Sequence, residues 1–398
     1  MVMKGMRKMS RKLLLFTVLT ITGLLTGCTK RAGELQQSAY TQSDETLTRE
    51  VAEAGEVSGA AIMPGIEIMK LEDGFSAVSY DKDDWFDDFL AQGGASSDAG
   101  VVDFLTGHMR MGESKPVFQT DGFGCSTLAV KNPEGEALFG RNFDWQTCEA
   151  MVVRSNPAGG EGRYASISTV NMDFIRSDYG AGLSLLPDEV RTLIALYAPL
   201  DGMNEEGLAV SVNMIQDSDV ISQDTGKPDL TTTTAIRLLL NQAADVEEAL
   251  ALLGQYDMHS SMGMMVHFAL ADRSGRSVVV EYVDNEMVVT DTPVVTNFYL
   301  ADGKKQGIGT AQSHTRYEIL MKRLEEDEAM DMEQVRDALD SVSKDEFGAA
   351  ESPLHGRSAE SFESTEWSIV FHLNSGEARY YHRENYENSY VFTVNEEA

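Results

Sequence analysis

The pattern of apolar and polar positions divides the chain into four textures. Five basic residues, Lys4, Arg7, Lys8, Arg11 and Lys12, precede a predominantly apolar run from Leu13 to Leu25. Residues 29–60 are rich in Gln, Ser, Thr, Glu, Ala and Gly and hold few large apolar side chains, which predicts a flexible tether. Within 61–124, Trp85, Phe86, Phe89 and Leu90 are followed by Val101, Val102, Phe104 and Leu105 at helical spacing, and this predicts a helical prosegment. Beyond Phe123 the texture becomes that of strands.

There, Ser126–Val130 and Ala137–Phe139 flank the turn Asn132-Pro133-Glu134-Gly135 and predict a hairpin with Cys125 at its start. Gly207–Met214 predicts a further strand. Met264–Ala271, Ser277–Val283, Met287–Val289 and Val294–Thr296 predict a meander broken at Arg273-Ser274-Gly275 and Asp284-Asn285. Helices are expected at Thr234–Ala243, after an N-cap at Asp245 with Glu248 as its box partner, at Thr315–Leu324 and at Met332–Val342. Strands return at Trp367–Leu373 and Ala378–His382, joined by Asn374-Ser375-Gly376. Antiparallel strands, a helical block, then strands again imply an α+β fold. A four-layer αββα sandwich gives this order, although composition alone does not select it.

Charge and cysteine usage narrow the setting. With 32 basic and 64 acidic residues the net charge is −32 over 398 residues, so no cationic surplus exists to displace counterions from a nucleic acid. The acidic residues are scattered and read as a solvated surface. The basic-then-apolar N-terminus has the layout of a signal peptide, too short for a comfortable membrane span, over 1–28. It ends in Leu25-Thr26-Gly27-Cys28, which resembles the lipobox of bacterial lipoproteins. The expectation is a lipid anchor on Cys28 and an extracytoplasmic location at a bacterial cell membrane, or secretion. Cys125 and Cys148 remain, a pair able to form one disulfide in an oxidising compartment but no framework. No Cys-x-x-Cys or clustered His pattern suggests a metal, and no cofactor is expected.

A lone cysteine is commonly a small buried hydrophobe, so the neighbours of Cys125 decide its reading. Cys125-Ser126-Thr127-Leu128-Ala129-Val130, continuing to Gly140-Arg141-Asn142-Phe143-Asp144-Trp145, resembles the opening of mature choloylglycine hydrolases, penicillin V acylases and the acid ceramidase group, which are N-terminal nucleophile hydrolases. Arg141 follows Cys125 by 16 residues and Asp144 by 19, as in that family. Asp201-Gly202-Met203-Asn204-Glu205-Glu206-Gly207-Leu208 resembles its Asn-Glu-x-Gly-Leu turn, and the strand after it ends at Asn213. Val295-Thr296-Asn297 resembles the Leu-Thr-Asn segment, and Ser313-His314-Thr315-Arg316-Tyr317 the Ser-Arg-Phe segment.

The resemblance implies the αββα fold over 125–398 and hydrolysis of linear amide C–N bonds. It implies Cys125 as nucleophile, Arg141 beside its sulfur, Asp144 holding its α-amine, Asn213 N–H and the Asn297 amide as oxyanion donors, and Arg316 as a second active-site arginine. The chemistry is coherent. An amide carbonyl needs a nucleophile, a proton acceptor and oxyanion donors, and an N-terminal cysteine supplies the first two through its thiol and its own amine. That amine lies in a peptide bond after Gly124, so processing between Gly124 and Cys125 is expected.

A long segment before the nucleophile departs from the simplest bacterial members. It looks more like acid ceramidase and N-acylethanolamine acid amidase, which keep an N-terminal chain beside the catalytic one. The expected partners are therefore a small amphipathic N-acyl amide and the chain's own N-terminal fragment. Fatty acyl ethanolamides or acyl amino acids are favoured over conjugated bile acids and penicillin V. Met151, Phe174 and the Met262-Met264-Met265 group offer acyl-pocket candidates, with core filling the more frequent use of such residues. Two rivals are a papain-like protease, for which no histidine signature accompanies Cys125, and a ligand-binding lipoprotein without activity.

Overall fold

The computed structural model describes residues 66–82, 84–109, 115–120, 122–156, 163–177, 186–344 and 364–395. The leader, Cys28 and the tether at 29–60 lie outside the described residues. The chain enters with β1 (Met69–Glu72), β2 (Phe75–Tyr80), α1 (Phe86–Ala91), α2 (Asp98–Met109) and β3 (Pro116–Phe118). It continues through β4 (Gly124–Lys131), β5 (Ala137–Trp145), β6 (Ala150–Ser155), β7 (Ser166–Asn171), β8 (Ile175–Ser177), α3 (Asp188–Leu196), β9 (Asp201–Asn204) and β10 (Ala209–Met214). Then come β11 (Asp229–Thr231), α4 (Thr232–Gln242), α5 (Val246–Leu253), β12 (Asp257–His259), β13 (Val266–Ala271), β14 (Ser277–Val283), β15 (Glu286–Asp291) and β16 (Val294–Val295). The last elements are α6 (Ala311–Glu326), α7 (Met332–Asp340), β17 (Ser364–His372), β18 (Glu377–His382) and β19 (Tyr390–Thr393).

Two large sheets face each other. One has nine strands in the order β1-β2-β6-β7-β9-β10-β13-β14-β15, the other six in the order β16-β4-β5-β17-β18-β19. Helix α4 packs on β9 and β10 and α3 on β6, while α6 and α7 pack on β4, β5, β16 and β17. Strand β10 meets β4 between the sheets. The result is helix, sheet, sheet, helix, the expected αββα sandwich.

Being covered on both faces explains the sequence of β5, in which all nine residues are buried and no alternation of polarity is left to read. Leu138 packs with Leu320, Val335 and Leu339 in a smaller core under α6 and α7. On the other face Phe139 and Phe143 join the main core. Two glycines set the spacing of the layers. A Cβ on Gly140 would stand 2.7 Å from Val335 Cγ1 on α7, and one on Gly202 would stand 2.7 Å from Leu240 Cδ1 on α4. Each lets a helix press directly onto its sheet.

The segment before Gly124 is not helical alone, as its spacing of apolar residues suggested. It contributes α1 and α2 but also adds strands: β1 and β2 form one edge of the nine-stranded sheet, with β2 parallel to β6 from Phe75↔Ala150 to Tyr80↔Ser155. Strand β3 pairs antiparallel with β8. Local helical spacing competes here with pairing to strands far along the chain, and only the first shows in the sequence. Met151 and Phe174 are fully interior, and Phe174 packs its ring against Phe123, Phe143 and Trp145. Both are core residues in this state, as is Met265, with Met262 and Met264 packed partly buried against the same core.

Candidate active site

Strand β4 places Cys125 on the face turned toward the nine-stranded sheet, with no exposed surface. Its Sγ donates to the Val212 carbonyl on β10 at 3.6 Å and accepts from Arg141 Nη2 at 3.4 Å. Arg141 stands two residues from Phe143, the partner of Cys125 in the β4–β5 register, and so lies on the same face. Its guanidinium crosses the gap between the sheets. Nη1 donates to the carbonyls of Leu200 and Val212 at 3.2 and 3.0 Å, and Nε is 2.9 Å from Asp201 Oδ2. Asp201 in turn accepts from Trp367 Nε1 at 3.0 Å.

Residues of the other parity, Ser126 and Asp144, meet the helical layer. Arg316, in α6, donates through Nη1 to the Cys125 carbonyl and to Ser126 Oγ, and through Nη2 to Asn297 Oδ1 at 2.9 Å. Its Nη1 is 3.7 Å from Asp144 Oδ2, and Thr365 donates to Asp144 Oδ1 at 2.8 Å. Asn297 follows β16 and joins the two halves of the site. Its Oδ1 accepts the Cys125 N–H at 2.9 Å, and its Nδ2 donates to the Met214 carbonyl at 2.7 Å. The Asn213 side chain is committed elsewhere, accepting from Ser211 Oγ at 2.7 Å and donating to the Val295 carbonyl at 3.3 Å.

The structure thus brings Cys125, Arg141, Asp144, Asn213, Asn297 and Arg316 together from β4, β5, β10, the segment after β16, and α6. Two expectations change. The nitrogen of Cys125 is held by Asn297 Oδ1, whereas the Asp144 carboxylate meets Thr365 and Arg316. Arg141 does pull the thiol toward its anion, but burial outweighs it and, with Asp144 and Asp201 adding to the effect, pushes Cys125 up to about 12. The thiol is protonated at neutral pH while the chain is intact. Cys125 and Cys148 are both free thiols, so the disulfide considered for them is not formed.

Sequence reasoning assigned no role to Asp201, Ser313, Thr365 or the Val212 carbonyl. Asp201 opens the motif Asp201–Leu208 at the start of a buried strand, and that position is its signal in the sequence. Ser313, which opens the segment containing Arg316, accepts the Asn297 N–H at 2.6 Å, and Thr365 lies 221 residues from the carboxylate it serves.

No curated protein sequence matches the chain. Among solved structures, a cysteine-to-alanine variant of conjugated bile acid hydrolase from Clostridium perfringens superposes with a TM-score of 0.50 and 19% identity, covering 69% of this chain and 93% of that one. Penicillin V acylase from Agrobacterium tumefaciens gives a TM-score of 0.45 and 20% identity, covering 65% of this chain and 83% of that one. The first likeness agrees with the layered fold. Residues 125–298, from the buried cysteine to the residue after Asn297, match the model of the linear amide C–N hydrolases, choloylglycine hydrolase family.

Proposed function

We propose that this chain is the precursor of an N-terminal-cysteine hydrolase acting on N-acyl amides, activated by a cut between Gly124 and Cys125. The observation that carries the reading is the pair of contacts at Cys125: its sulfur rests on Arg141 at 3.4 Å while its N–H is 2.9 Å from Asn297 Oδ1. A nitrogen so held stays beside the sulfur once it becomes a free amine. The family match that opens at Cys125 supports the same boundary.

The chemistry then runs in two halves. The freed amine takes the thiol proton, and the sulfur attacks the amide carbon to give a tetrahedral oxyanion. Asn213 N–H and the Asn297 amide, whose Nδ2 carries a second proton beside the one given to Met214, stabilise that charge. The ammonium returns its proton to the leaving nitrogen as the C–N bond breaks, leaving a thioester on Cys125. Water, giving its proton to the same amine, hydrolyses the thioester and restores the thiol. The activating cut uses the same sulfur on the Gly124 carbonyl: the thiol proton ends on the Cys125 nitrogen as the C–N bond breaks and frees the amine, and water then hydrolyses the Gly124 thioester to a carboxylate and restores the thiol.

For the substrate we favour fatty N-acyl amides, acyl ethanolamides or acyl amino acids, because an N-terminal segment woven into the sheet as β1, β2 and β3 suits an enzyme that keeps its cleaved fragment. The likeness to a conjugated bile acid hydrolase makes glycine- or taurine-conjugated steroids the second candidate class. We further place the protein outside the cytoplasm, anchored through a lipid on Cys28.

Fragment mass spectrometry of purified wild type and Cys125→Ser tests this. Wild type is expected to yield a new N-terminus at Cys125, and Cys125→Ser to stay intact and inactive. Acyl ethanolamides, acyl amino acids, conjugated bile acids and penicillin V are then assayed side by side. Amide cleavage by an uncut wild type overturns the mechanism. An uncut and inert wild type favours a binding protein.

A further inference from the structure

We propose that His267 and Glu281 are positioning residues, a buried pair that fixes the direction of Asn297 without touching substrate; this rests on the amidase reading above. His267 lies on β13 directly across from Asn213 on β10. Neither its ring nor the Glu281 carboxylate on β14 reaches solvent. The ring spans two acceptors: Nδ1 is 2.9 Å from Glu281 Oε1, and Nε2 is 2.8 Å from the Thr296 carbonyl oxygen.

A carbonyl oxygen has no proton to give, so Nε2 must be the donor to Thr296. Burial alone would push the Glu281 carboxyl up, but the His267 contact and the N–H groups of Leu300 and Ala301 outweigh it and hold the group on the ionised side. The Nδ1 edge of the ring meets that carboxylate, so each side of the ring is tied to a fixed partner. The pair is a buried hydrogen-bonded clamp.

What it clamps is the backbone that aims Asn297. The peptide between Thr296 and Asn297 is gripped at both ends, its carbonyl by His267 Nε2 and its N–H by Ser313 Oγ at 2.6 Å. Farther along, Glu281 accepts the N–H groups of Leu300 and Ala301 at 3.0 and 2.5 Å. The peptide plane before Asn297 therefore cannot rotate, and the chain after it cannot lift. The residue that faces Asn213 across the sheet thus also sets the donor that Asn297 presents. A preorganised donor loses its value when it swings by a fraction of an ångström.

The two ring nitrogens can be tested separately. His267→Gln keeps a donor near the Nε2 position and loses the Glu281 contact; His267→Asn keeps a donor near Nδ1 and loses Thr296. On the processed enzyme, His267→Asn is expected to lower kcat by about 10- to 100-fold with KM changed less than about threefold, the signature of a transition-state donor displaced. His267→Gln is expected to retain kcat within about fivefold. Combined with Asn297→Ala, His267→Asn is expected to cost less than about twofold more, since the group it positions is gone. Wild-type kcat in His267→Asn overturns the proposal, and so does an equal loss in both variants that adds fully to Asn297→Ala. Should His267→Asn fail to fold, Ser313→Ala, which releases the other end of the same peptide, is expected to give the same kcat loss with KM little changed, and wild-type kcat there overturns the proposal. An inert but folded wild type overturns the amidase reading itself, a different failure from active wild type with an indifferent His267.

Discussion

Four charged side chains, Arg141, Arg316, Asp144 and Asp201, are fully buried around one sulfur, and their charges cancel. A thiolate at Cys125 would break that balance in a site without water to screen it, which is the electrostatic meaning of a thiol pushed up to about 12. A raised thiol value leaves only a trace of nucleophile at neutral pH, and the trace grows as pH rises toward that value. Cleavage at Gly124 in purified precursor is therefore expected to accelerate about tenfold per unit between pH 7 and 9, followed by gel densitometry; a rate independent of pH excludes attack by the thiolate. The proposed cut frees an amine beside the sulfur, and transfer of the thiol proton to it gives a thiolate–ammonium pair with no net charge. Arg141→Lys keeps the charge but cannot serve Cys125, Leu200, Val212 and Asp201 together. It is expected to lower amidase kcat by about 100-fold, measured at saturating substrate.

At the scale of elements, the loops that follow the two donor strands are pinned to each other. Lys305 bridges Asp217 and Asp219, and Tyr299 donates to Asp217 at 3.1 Å. Burial raises the Asp217 carboxyl, but hydrogen bonds from Lys305, the Asp219 N–H and Tyr299 outweigh it and hold the group below the ordinary range. A lowered native value gives stability that is present above the unfolded value near ~3.9 and lost as pH falls through the native one. Asp217→Asn should accordingly lower the thermal midpoint by about 2 °C at pH 7 and leave it unchanged near pH 2, in calorimetry. Gly140→Ala should be costlier, by about 1–3 kcal/mol in a denaturant titration, because its new methyl group meets Val335 and Leu339.

What the sequence revealed, and what it hid, follows from the same scale. Cys125, Arg141, Asp144, Asn213, Asn297 and Arg316 were legible because each sits in a short motif whose order along the chain carries information. The partners that orient them were not, since His267 and Glu281 lie in a meander that reads as ordinary core strands, 14 residues apart, and Thr365 is remote from Asp144. Helix α6, expected at Thr315–Leu324, begins a turn earlier at Ala311, and α7 starts at Met332 as expected and ends two residues sooner, at Asp340. Strands β1 and β2 were missed although Asp73-Gly74, a strong hairpin signal, stands between them with Gly74 at φ +80°. Helical spacing just downstream drew the reading away.

For the whole molecule, the decisive feature is the parallel seam of β2 with β6, which joins the segment before Gly124 to the sheet that carries Val212 and Asn213. While the chain is continuous, that seam closes a loop, and refolding from denaturant is unimolecular. Once the bond after Gly124 is gone, the same seam is an interface between two polypeptides. Unfolding then becomes a one-way event at low concentration: the fragments must find each other by diffusion, and recovery of native protein should scale with concentration for the cut form and not for Cys125→Ser. The protein would thus be assembled once, as a single thread, and kept thereafter by the slowness with which its parts come apart.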